Sequence, residues 1–130
     1  MLISISGVVG KILIFKKGFF MSSLTVKNVS LTGLKPIFVA ATEEGDTFVN
    51  NGRTFLHVKN ADVDVTRTVT INSLVDCNQG HDHNIEVEIP KEEERIIGPF
   101  SPSRFNNNAG VVSVTYDDDH SEVKVAAISL

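Results

Sequence analysis

The chemistry-bearing residues cluster in one polar stretch, where Cys77, His81 and His83 follow a Cys-x-x-x-His-x-His spacing. One thiolate and two imidazoles, with Asp76 or Asp82 as a fourth group, form a donor set suited to zinc. No second half-site accompanies them, and loops rich in Asp, Asn and His are common without a metal. Cys77 is the only cysteine, which excludes an internal disulfide framework. As a nucleophile it would need a base and an oxyanion cradle, and no glycine-rich loop marks one. Asp117-Asp118-Asp119 could offer carboxylates to calcium but lacks the alternating ligand spacing and fixed glycine of a dedicated loop. The expected reading is a solvated hairpin tip. No catalytic, cofactor-binding or metal residue is assigned, and a non-enzymatic protein is expected.

The remaining candidates are single side chains. Arg95 and Arg104 flank the Gly98-Pro99-Phe100 corner and could pair with acids of this chain or of a partner. His57 alternates with Phe55 and Lys59, as a packed or half-exposed strand histidine would. Phe48, Phe100 and Phe105 are expected as core plugs rather than a sugar-stacking platform; tryptophan is absent and Tyr116 is the single tyrosine.

These groups must be held by strands. The sequence is rich in β-branched residues and phenylalanine and contains no long helix-forming run. Period-two alternation is clear in Ile85, Val87 and Ile89, in Val112, Val114 and Tyr116, and in Val123, Val125 and Ala127. The same pattern predicts a strand over residues 63–71 with Val63, Val65, Val69 and Ile71 on one face. Ile37 to Ala41 is continuously apolar and predicts a strand buried on both faces. Glu43-Glu44-Gly45-Asp46 is expected as a solvated turn, and Asn50-Asn51-Gly52 and Asn60-Ala61-Asp62 as turns. Ile96-Ile97 runs into Gly98-Pro99-Phe100, a corner followed by a second one at Pro102. About eight short strands without a crossover helix predict an all-β fold: a single antiparallel β-sandwich, immunoglobulin-like or jelly-roll in type.

The first twenty residues differ from this body. They carry Lys11, Lys16, Lys17 and no acid, and without them nine basic residues face sixteen acidic ones, a formal charge of −7. Their charge lies within and after the apolar run, unlike a secretory signal, and the run is too short to span a bilayer. Lys16-Lys17-Gly18 is encodable by a purine-rich tract resembling a ribosome-binding site, so translation is expected to begin at Met21. The alternative is an N-terminal arm whose Ile12-Leu13-Ile14-Phe15 adds a strand to a neighbour. The expected organisation is residues 1–20 as extension and 21–130 as sandwich. An acidic body without a concentrated basic face disfavours nucleic acid as a partner, and no membrane partner is expected.

The body also resembles a family of small proteins encoded among the structural genes of tailed bacteriophages and prophages. The resemblance rests on Leu24-Thr25-Val26-x-Asn28, Thr32-Gly33-Leu34-x-Pro36, Gly45-Asp46-Thr47-Phe48, and the run from Asn51 to Asn60. It continues through Cys77-Asn78-Gln79-Gly80-x-Asp82-His83, Glu94-Arg95-x-Ile97-Gly98-Pro99-Phe100-x-x-x-Arg104-Phe105-Asn106, and Val112-Ser113-Val114-Thr115-Tyr116. It carries no catalytic motif. The resemblance implies a virion structural role: a capsid decoration or cement protein on the outer capsid surface. Its implied partners are the major capsid protein and further copies of itself, with a trimer as one form. A head–tail completion or tail-associated protein, or a glycan-binding sandwich, are the alternatives.

Overall fold

The computed structural model describes residues 21–74, 84–117 and 119–130. Ten strands and one helical turn are formed among them: β1 (Ser22–Ser23), β2 (Val26–Asn28), β3 (Val39–Ala40), β4 (Asp46–Val49), β5 (Thr54–Asn60), β6 (Arg67–Ile71), β7 (Ile85–Ile89), β8 (Glu94–Ile97), α1 (Pro102–Phe105), β9 (Val111–Tyr116) and β10 (Val123–Ser129). They build the two sheets of an all-β sandwich. One sheet has the order β1-β4-β9-β6-β7, and the other runs β2-β10-β5-β8, with β3 also pairing β10. Two edge ladders, β1 on β4 and β2 on β10, are parallel, so both sheets are mixed rather than purely antiparallel. Both arise because residues 22–28 run along one side of the sandwich, pairing first with one sheet and then with the other.

The alternating residues meet between the sheets. Leu56 and Val58 of β5, Val69 and Ile71 of β6, and Val112 and Val114 of β9 are fully buried. Phe48, Phe100 and Phe105 fill one end of this core, with ring centroids 5.6 Å apart for Phe48–Phe100 and 5.5 Å for Phe100–Phe105. They are plugs, as the sequence predicts. The Gly98–Pro99 peptide is cis, and Gly98 has φ +129°, where an added Cβ would lie 3.0 Å from the Thr54 carbonyl oxygen. This backbone is open only to glycine.

Two of the strand expectations fail. Ile37 to Ala41 yields only the two-residue β3, and Ile37 and Val39 remain 56% and 46% exposed. Only Ala41 enters the core, because β3 lies at a sheet edge rather than inside. The predicted strand 63–71 begins at Arg67, with Val63 and Val65 60% and 44% exposed. Asp62 is the cause: its Oδ1 accepts the backbone N–H groups of Asp64 and Val65, which turns the chain before β6 can start.

Most connections cross between the sheets, so separate segments must be tied at each end. Asn50, in the β4–β5 crossover, donates through Nδ2 to the Phe100 carbonyl at 2.9 Å and to Asn106 Oδ1 at 2.8 Å. Asn106 Nδ2 returns a bond to the Asn50 carbonyl at 2.9 Å. At the far end of β5, Asn60 Nδ2 donates to the carbonyls of Val65 and Ile89, both at 2.9 Å. Replacing Gly98 by alanine should destabilise the protein by about 1–3 kcal/mol through strain at this corner. Urea unfolding at unchanged m-value would show it, and an unaltered midpoint would contradict the assigned backbone.

Candidate functional site

Those sequence candidates that lie among the described residues do not converge on one site. Cys77, His81, His83, Asp76 and Asp82 lie outside the described residues. Asp118 does too, and its neighbours are engaged elsewhere: Asp117 Oδ2 accepts the Thr68 N–H at 2.8 Å, and Asp119 accepts Arg67 and Ser121. Among the described residues no group of three His, Cys, Asp or Glu side chains could hold a metal ion.

Arg67 sits between two loops, bonded to Asp62 Oδ2 at 2.8 Å and to Asp119 Oδ2 at 3.2 Å. The guanidinium hydrogen bond is the main cause holding the Asp62 carboxyl below its ordinary value; Asp119 is lowered first by its bond from Ser121 Oγ. Both shifts favour the folded state above the ordinary carboxylate range, and that contribution is lost as pH falls. Arg95 pairs with Glu93 at 3.0 Å. Arg104 bonds Ser73 Oγ at 3.3 Å and lies over the Phe105 ring. Both arginines thus have partners within the chain. His57 meets Glu94 Oε1 at 2.5 Å and packs edge-on to Phe38, with Lys59 over the same ring.

Asp46, expected in a solvated turn, is fully buried. It begins β4, and its carboxylate accepts Tyr116 Oη at 2.5 Å and Thr42 Oγ1 at 3.1 Å. The bond ties the β3–β4 crossover to the end of β9. Burial, then the hydrogen bond and charge of Asp46, push the Tyr116 hydroxyl far above its ordinary value. Of the residues considered for sugar stacking, Phe48, Phe100 and Phe105 are buried, and half-buried Tyr116 reaches a pocket that it lines with Glu43, Glu44, Asp117 and His120.

The sequence pattern misses an open apolar surface among the described residues. A groove of about 370 Å³ lies where β10 passes from pairing with β2 to pairing with β3. Leu24, Lys27, Ile37, Val39 and Ala126 are among its walls. Continuous apolarity suggested burial, but Pro36 was the available signal, because proline within a strand run marks an edge. The opposite edge, β8, exposes Ile96 by 65%. No protein family, curated protein or solved structure matches the chain.

The Tyr116–Asp46 bond is directly testable. Unfolded tyrosine releases its proton near pH 10 while folded Tyr116 retains it, so stability should fall as pH rises above about 10. Phenolate absorbance from this single tyrosine should therefore appear with unfolding rather than before it. Tyr116→Phe should cost about 1–3 kcal/mol at neutral pH and remove the alkaline slope. Ionisation of Tyr116 at its ordinary value in the folded protein would contradict the assignment.

Proposed function

We propose that this chain is a non-enzymatic virion structural protein: a capsid decoration or cement protein that binds the major capsid protein and stabilises the head. One observation carries the reading. The strongest polar groups of the described residues, Asp46, Asn50, Asn60 and Arg67, serve the chain's own crossovers, whereas apolar side chains are left open on sheet edges. A module that bridges other subunits needs such a rigid body with uncovered edges, and exposed edges are ready templates for association. The sequence resemblance to proteins encoded among phage structural genes supplies the virion context. The formal charge of −7 outside residues 1–20 suits an outer shell surface, away from packaged DNA.

Quantitative mass spectrometry of purified particles tests this. The chain should be present in numbers comparable to the major capsid protein, and particles lacking it should release DNA at lower temperature. Absence from particles would overturn the virion role. A handful of copies per particle would replace decoration with head–tail completion or a tail-associated role.

A further inference from the structure

The sandwich has two open sides of opposite character. On one side lie β1, β2 and β3, with the groove between β2 and β3. Residues 21–42 contain Lys27 and Lys35 and no acid, and both lysines are exposed beside Ile37 and Val39. On the other side lie β7 and β8. Residues 84–97 contain five glutamates against Lys91 and Arg95. Glu86, Glu88 and Glu94 are exposed there, with Ile96 65% open among them. Within each sheet these strands are at opposite ends: β2 and β3 against β8 in one, β1 against β7 in the other.

We propose that copies of this chain associate head to tail, the basic β2–β3 edge of one copy seating on the acidic β7–β8 edge of the next. The apolar side chains supply the gain from leaving water, since each edge presents residues that the monomer leaves uncovered. No described strand lies beyond β3 or β8, so their edges are open to a strand of a neighbour. Charge decides which edge meets which. Two acidic edges face to face would oppose glutamates, and two basic edges would oppose lysines, whereas unlike edges attract. Such a contact uses a different patch on each copy, so it repeats and closes into a ring where the rotation permits. The association does not depend on the virion role and belongs to the free protein.

Native mass spectrometry and light scattering of the full chain provide the test. The wild type should form assemblies of three or more copies that weaken as salt is raised. Ile37→Asp and Ile96→Asp change exposed positions, and circular dichroism would verify their folds. Each should be monomeric alone, and their equimolar mixture should give dimers containing one of each, because one intact edge of each kind remains. If either variant misfolds, the doubles Lys27→Glu/Lys35→Glu and Glu86→Lys/Glu88→Lys test the same edges. Each should weaken self-association about tenfold or more. A monomeric wild type would overturn the proposal. So would a variant of either edge that still self-associates fully, which would indicate like edges pairing. Variants of unchanged assembly that no longer join particles would assign the edges to the capsid protein instead.

Discussion

The reciprocal amide contact between Asn50 and Asn106 is the constraint on which one end of this sandwich depends. Seven of the nine successive connections among the described strands pass from one sheet to the other. Two of them, the β4–β5 turn and the long β8–β9 corner, meet where Asn50 and Asn106 exchange bonds with each other and with the Phe100 carbonyl. Backbone carbonyls turned inward at such crossings have no ladder partner. Leaving one without a donor costs about 1–3 kcal/mol, so the side-chain amides are required by the topology rather than added to it. Asn60 performs the same task at the other end of β5, and Asp46 with Tyr116 ties a third crossing.

The fold was legible where burial follows period two. The predictions for residues 85–89, 112–116 and 123–127 rest on that alternation, and β7, β9 and β10 form there. Legibility ended where the cause is long-range. Asn50 and Asn60 read as turn formers, and they do cap turns through Oδ1, accepting the N–H groups of Gly52 and Asp62. Their other half is tertiary: Asn50 reaches a carbonyl fifty residues away. No local pattern specifies such a partner. Asp46 was misplaced for the same reason, since the acids before it favour solvent while Tyr116, seventy residues on, draws its carboxylate inward. Apolarity misled at Ile37 to Ala41, where hydrophobicity alone does not distinguish a core from an uncovered edge.

These features bear on function through what they leave over. The crossover ties engage Asp46, Asn50 and Asn60, and Phe48, Phe100 and Phe105 lie in the core, so the described interior is a structural frame. The open chemistry is peripheral: a basic, apolar edge on one side and an acidic, apolar edge on the other. Edge strands are normally shielded by charge or covered by another chain. Here the shielding charge is of opposite sign on the two sides, which is the basis of the proposed head-to-tail assembly. Rigidity at the crossovers matters for that assembly, because an edge presents a fixed surface only when the sheets behind it cannot slide.

The central structural claim is that Asn50 and Asn106 act as one unit. The direct measurement is a double-mutant cycle of Asn50→Ala, Asn106→Ala and the combined variant, read by urea unfolding. The predicted result is a coupling energy of about 0.5–3 kcal/mol, with the double variant less destabilised than the sum of the singles. Strictly additive losses would contradict the claim, showing that the two amides stabilise their segments independently.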